Sequence, residues 1–228
     1  MDKKQTALSI LIVLSLLLLG FLYVRSTQTE SLIQKQFETV RQNLVATTAD
    51  SQRASAGERA SGLFPPCPTQ AQYDSLLEKD TRAMTASNLR EAVSLHAACG
   101  NHFVHTKKFS LMRLEDTLLQ AQNLALLSHG KNKKTIDALL TLWKDIVDLE
   151  RKKTELFARQ VNLQGSYFET ELQQKDGSIA ANERERIFGE LNSEANKSIQ
   201  DMNSLIAQSA TAQSAEQALW DTLSQKQK

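Results

Sequence analysis

Two cysteines, three prolines and eight glycines among 228 residues leave little to interrupt a helix and rule out a disulfide-dense framework. Aromatic residues make up only 6%, so a thick globular core is not expected. Charge of one sign is missing as well: 27 Lys and Arg face 26 Asp and Glu, which gives no global field to attract nucleic acid. No segment alternates apolar and polar residues with β-branched side chains, and no repeat of twenty to fifty residues stands out.

The motifs that carry chemistry are absent too: no C-x-x-C-H haem attachment, no Walker loop, no dinucleotide glycine fingerprint, no H-E-x-x-H and no G-x-S-x-G. The carboxylates Glu115 and Asp116, Asp145, Asp148 and Glu150, and Glu183 and Glu185 alternate with Arg113, Lys144, Arg151, Arg184 and Arg186. Ion pairing along helix surfaces accounts for that pattern without a catalytic acid and base. The chain is expected not to be an enzyme and to need no cofactor. Asn196-Lys197-Ser198 matches a glycosylation triplet but lies mid-helix, and it carries no weight.

What is present begins with one long apolar run. Thr6 to Val24 holds nineteen uncharged, mostly apolar residues between Lys3 and Lys4 on one side and Arg25 on the other. A helix of that length spans about 28 Å, close to the thickness of a bilayer core. Bulky residues stand where a signal-peptidase site would need small ones, so the run reads as an uncleaved anchor rather than a removable signal. A buried core helix is the remaining alternative, but no other segment is apolar enough to surround it. The positive-inside count is nearly balanced, because Arg25, Lys35 and Arg41 follow the span. The short segment before the span and the ease with which long domains translocate place the amino terminus in the cytoplasm and the bulk outside, periplasmic or extracellular.

The rest reads as all-α: an elongated helical bundle or coiled coil made of hairpins. Residues 1–25 form the anchor, 26–62 a stalk helix and linker, 63–130 a cysteine-containing hairpin with a following helix, and 131–228 a long antiparallel hairpin. In the stalk, Ile33, Phe37, Val40, Leu44, Thr47, Ser51 and Ala54 keep spacings of three and four, with a seam that weakens toward Ala54. Gly62 to Pro68, with three prolines, is a rigid connector.

Cys67 and Cys99 then pose a geometric question. One straight helix from Pro68 to Ala98 would hold its ends about 45 Å apart, against a limit of about 7 Å for bridged α-carbons. A break near Ala86 to Asn88, with Asn88 and Glu91 as a capping box, folds Cys99 back beside Cys67. The closed loop of about 33 residues is worth about 3 to 4 kcal/mol in the chain-entropy model. Intermolecular bridges and free thiols are the alternatives, the latter expected in a reducing compartment.

The second helix of that hairpin is expected to stop at Cys99-Gly100-Asn101, and another to run from His105 to His129 with Phe109, Met112, Leu114, Leu118, Ala121, Ala125 and Leu127 toward a partner. Gly130 and the lysines at 131, 133 and 134 suit its end. Thr135 to Gln174 keeps heptad register through Ile136, Leu140, Trp143, Val147, Glu150, Thr154, Phe157, Val161, Gln164 and Phe168. After the turn signal at Asp176-Gly177-Ser178, Ile187, Leu191, Ala195, Met202, Leu205, Ala212, Leu219 and Leu223 mark a last helix, whose Ser204 to Gln217 stretch reads as a frayed end.

Cys99, His102 and His105 form a C-x-x-H-x-x-H run with ligand-type side chains, and Cys67 could supply a fourth ligand for zinc or copper. A plain helix start is the competing reading, in which His102, and His96 three residues before Cys99, face solvent. Trp143 and Trp220 read as seam residues or as an anchor for a partner. Taken together, these residues point to a membrane-tethered scaffold that binds the bilayer through Thr6 to Val24 and a protein partner or its own copy through its helices, with no nucleic acid; a sensory bundle holding a small ligand near Phe103 and Phe109 is the alternative.

Overall fold

The computed structural model describes residues 31–49, 67, 69–128 and 132–225, and all regular structure among them is helical. Five α-helices follow in order: α1 (described over 31–49), α2 (Gln70–Leu77), α3 (Ala86–Leu127), α4 (Lys133–Lys175) and α5 (Ala181–Gln225), with a 3-10 turn at Thr81–Ala83 between α2 and α3. The last three are 42, 43 and 45 residues long. At 1.5 Å per residue each is about 65 Å, which makes the molecule elongated.

α4 is the central helix: α3 packs along one side of it and α5 along another. The α4–α5 turn is closed by Gly177, whose φ of +77° is open to glycine at no steric cost. The expected antiparallel hairpin is therefore present. Of its heptad positions on α4, Ile136, Trp143, Val147, Glu150, Thr154 and Phe168 are buried, while Leu140, Phe157, Val161 and Gln164 are half-buried.

Three expectations need correction. The chain breaks over 78–85 rather than at Ala86 to Asn88, and Thr85, not Asn88, caps α3 by accepting the Asn88 amide at 3.2 Å. No break occurs at Cys99-Gly100-Asn101 either, because α3 is one helix through that point. Gly100 there serves packing: a Cβ would stand 2.8 Å from Val161 Cγ1 on α4. Third, α1 is not a separate stalk. Ile33, Phe37, Val40 and Leu44 are buried in one cluster with Leu114, Ala121 and Ala125 of α3, Ile136 to Val147 of α4 and Leu223 of α5.

The carboxyl end of α3 shows the expected use of cations, since Lys133 Nζ donates to the Ala125 carbonyl at 3.1 Å. The supposedly frayed stretch of α5 is helical and seam-forming, with Ser209 and Glu216 buried, and the seam opens on Arg184 and Phe188 rather than Ile187.

Two further clusters lie toward the other end: Leu76, Met84, Leu89, Ala92 and Phe168 in one, and Cys67, Tyr73 and Cys99 in the other. Between the two ends the interior turns polar, with Lys107 and Ser110 of α3 and Glu150, Lys153 and Thr154 of α4 all buried. No helix among the described residues is long and apolar enough to cross a membrane. The anchor expected at Thr6 to Val24 lies outside the described residues.

Candidate interaction surface

Cys67 and Cys99 are joined, with α-carbons 5.4 Å apart across a sequence separation of 32. The bridge fixes the start of α2 to the middle of α3, and the Thr69 hydroxyl lies 3.2 Å from Cys99 Sγ and 3.5 Å from Cys67 Sγ. Cys99 is thereby spent as a disulfide. Of its companions in the candidate metal run, His102 is half-buried and His105 exposed, and no group of three ligand-type side chains comes together among the described residues.

The histidine that matters structurally is His96, which sequence reasoning left facing solvent. It is buried, and both ring nitrogens are engaged: Nε2 lies 2.7 Å from the Val161 carbonyl oxygen and Nδ1 2.7 Å from Tyr73 Oη. A carbonyl can only accept, so Nε2 carries a proton. Burial pulls the His96 pKa below its usual value, against the opposing effects of the Val161 carbonyl and Glu169, which favours the neutral ring with Nδ1 accepting from Tyr73. Tyr73 has one proton to give. Tyr73 Oη also lies 3.2 Å from Gln164 Oε1, a second acceptor within reach of that proton. Burial, and then the charge of Asp74, push Tyr73 up to about 12, so it stays a donor.

This knot ties α2, α3 and α4 together and leaves no imidazole nitrogen for a substrate. A cavity of about 190 Å³ lies beside it, bordered by Asn101, Asn162, Gly165 and Glu169. Gly100 of α3 and Gly165 of α4 leave room for the ring, since a Cβ would stand 3.4 Å from His96 Cε1 at the first and 2.9 Å from His96 Cδ2 at the second.

The polar middle layer is a charge cluster. Glu150 pairs with Lys153 one turn away and lies 3.8 Å from Lys107 Nζ across the α3–α4 interface. Burial pushes Lys107 down to about 8; Glu150 opposes the shift and Lys153 adds to it. At the α1 end, Glu216 accepts from Arg41 Nε at 2.7 Å and from Trp143 Nε1 at 3.3 Å. Phe37 stacks on Trp143 at 5.5 Å, and Arg41 sits over Trp220. Both tryptophans thus belong to the α1 docking site. A groove of about 560 Å³ opens beside it, between Leu44, Val45, Thr48, Ile146 and Gln213.

Of the residues expected to face a partner, Leu114, Ala121 and Ala125 are buried and Leu118 is half-buried, whereas Phe109, Met112 and Leu127 point outward at 46%, 49% and 59% exposure. The buried face of α3 is Lys107, Ser110, Leu114, Thr117, Ala121 and Ala125. Two apolar faces compete on this helix, and the bundle takes the one with smaller residues, since alanine and serine allow close approach. Leu119 and Leu126 join the outward face at 55% and 76% exposure. At about 100° per residue, Phe109, Met112, Leu119 and Leu126 fall within an arc of about 100° on the side opposite the buried face.

No protein-family model, curated protein or solved structure matches the chain. Function must therefore be argued from the molecule itself.

Proposed function

We propose that this chain is a membrane-anchored, extracytoplasmic helical scaffold that works by binding another protein of the cell envelope. The observation that carries the reading is the outward apolar face of α3, four large side chains between 46% and 76% exposed along one line of a helix whose other side is already packed. Large apolar side chains exposed along one helix face support an interaction site. Both nitrogens of the buried histidine are occupied, so the knot is a structural tie rather than a reaction centre.

Anchoring is supported by the nineteen-residue run Thr6 to Val24. Placement of the bulk outside the cytoplasm is supported by the Cys67–Cys99 bridge, since a reducing compartment disfavours such pairs. The second reading, a ligand-holding bundle, draws on the groove of about 560 Å³ beside Arg41 and Glu216.

The test is crosslinking in intact membranes. The native chain should form an adduct heavier than itself, and replacing Leu119 and Leu126 by glutamate should diminish it. Absence of any adduct, with the protein instead raised in melting temperature by a small molecule, would favour the second reading. Extraction at alkaline pH tests the anchor: the chain should stay with the membrane, and its release would count against that part.

A further inference from the structure

We infer that the end of the rod at which α1 starts docks on the phospholipid surface: Leu32, Leu126 and Leu127 enter the interface and Lys134 meets headgroup phosphates. This rests on the anchor in the reading above and adds a second membrane contact to it.

The direction of α1 fixes which end that is. Arg41 pairs with Glu216 and lies over Trp220, whereas Leu44 and Thr48, farther along α1, border the groove with Gln213. Rising numbers on α1 thus run against falling numbers on α5, so α1 starts beside the finish of α5 at Gln225. α4 starts at the same end, where Lys133 Nζ holds the Ala125 carbonyl in the last turn of α3. Leu32, Leu126, Leu127 and Lys134 therefore share one tip of the rod.

That tip is apolar on its surface. Leu126, Leu127 and Leu32 are 76%, 59% and 58% exposed, the three highest values among the large apolar side chains described. None of the exposed large apolar residues described lies at the other tip, beside Gly177, about 65 Å away. A single exposed leucine is ordinary, but three gathered at one tip mark a contact.

Chain length names the occupant. Only residues 25–30 separate the apolar run ending at Val24 from Ser31, a link that spans no more than about 25 Å even when fully extended. With the run in the bilayer, the tip stays within reach of the surface, and a contact tethered in this way needs little affinity of its own. Charge agrees with a headgroup layer. Lys134 is exposed and makes no ion pair among the described residues, while Lys133 is held by Asp137. In the sequence Lys131 stands between α3 and α4, and Lys226 and Lys228 follow α5. Asp137 and Asp221 are the acids against them, and Arg25 with Glu30 and Lys35 with Glu38 cancel. A lysine beside leucines lays its stem among them and keeps its ammonium at the phosphates.

The test places the full chain in nanodiscs of zwitterionic lipid, with or without anionic lipid, that carry a nitroxide on the headgroup. A fluorophore is attached to one added cysteine, Gln225→Cys at the docked tip or Ser178→Cys at the far one; both positions are exposed, and the native cysteines are bridged. The probe at 225 should be quenched, more strongly on the anionic surface, and the probe at 178 should stay bright. Leu32→Gln, Leu126→Gln and Leu127→Gln together should remove the quenching, and Lys134→Gln should lower the ratio of docked to free tips about fivefold in anionic lipid. All four side chains are exposed, so the melting temperature should not change. Leu119→Glu, two turns back on the outward face of α3, should leave the quenching as it was. Equal quenching of both probes, a bright probe at 225, or quenching that survives the leucine variant or ignores Lys134→Gln overturns the inference and leaves the anchor standing. Loss of quenching on Leu119→Glu also overturns it, by assigning the contact to the protein-binding face. A chain that fails to enter the nanodiscs removes the anchor and the inference together.

Discussion

Gly165 of α4 stands directly against the His96 ring of α3: a Cβ added at 165 would lie 2.9 Å from His96 Cδ2 and 3.0 Å from Nε2. His96 cannot yield cheaply, because its two nitrogens are held by Val161 and Tyr73. Alanine favours a helix interior over glycine by about 1 kcal/mol, so propensity alone would make Gly165→Ala stabilising. Overpacking of a closed interface costs about 1 to 3 kcal/mol, and here it should win. Gly189 on α5 is the control, being exposed with nothing within 4 Å of its absent Cβ. Thermal unfolding should show Gly165→Ala melting lower than the native chain and Gly189→Ala melting higher by the equivalent of about 0.5 to 1 kcal/mol. A rise for both would mean that the α3–α4 contact is looser than the structure shows.

The same histidine makes stability depend on pH. Its folded pKa lies below the ordinary value of about 6.5, chiefly through burial. Below pH 6.5 the unfolded chain binds a proton that the folded chain refuses, so stability is complete above that pH and falls as the solution is acidified through the folded pKa. Glu169, and Asp74 beside Tyr73, are the carboxylates that bear on the knot. The melting temperature should decline as the pH falls below about 6.5, and His96→Gln should flatten that slope while lowering the plateau at neutral pH. A slope identical in the variant would assign it to other groups.

The central helices were legible because their repeat is long and strict. Ile136, Trp143, Val147 and Phe168 could be placed on one face of α4 from spacing alone, and Gly177 as the turn before α5. The Cys67–Cys99 bridge is one of three states the sequence leaves open, and chain geometry makes it possible only with a break between the two cysteines. The details that escaped each involve a residue whose role is set by another helix. Gly100 reads as a helix stop until Val161 is seen against it, and His96 reads as solvent-facing until Tyr73 and Val161 bracket it. On α3, a reading by hydrophobicity mixes the two sides: it takes in the buried Leu114, Ala121 and Ala125, but also Phe109 and Met112, which outrank Ser110 and Thr117 in hydrophobicity and yet point outward. Only the packing partner shows that the smaller residues were turned inward.

Reduction of the disulfide should act locally. The bridge secures the start of α2, whose remaining ties are Tyr73 and the packing of Leu76 against Met84, Leu89 and Phe168. α4 holds both α3 and α5 without it. Replacing Cys67 and Cys99 together by alanine should cost about 3 to 4 kcal/mol on the chain-entropy account. Hydrogen exchange should rise over residues 69–83 while the middle of α4 stays protected. Uniform loss of protection would show that the clasp supports the whole bundle.

The buried charges at the middle of the rod give the sharpest contrast between two substitutions. Glu150 is 1% exposed and lies against two cations that are nearly as deep, Lys153 at 6% and Lys107 at 3%. Glu150→Ala strips both of their shared carboxylate in a place water does not reach, a loss of the kind that costs about 3 to 5 kcal/mol. Lys107 behaves differently, because burial already pushes it down to about 8. Between pH 8 and the unfolded value near 10.5 the unfolded chain holds a proton that the folded chain has released, so stability should rise with pH across that window. Denaturant unfolding should therefore show native stability climbing from pH 8 to 10, and Lys107→Met losing that climb. Unfolding midpoints of Glu150→Ala and the native chain that coincide would mean that the layer is solvated, and that the two apolar ends hold the rod together without it.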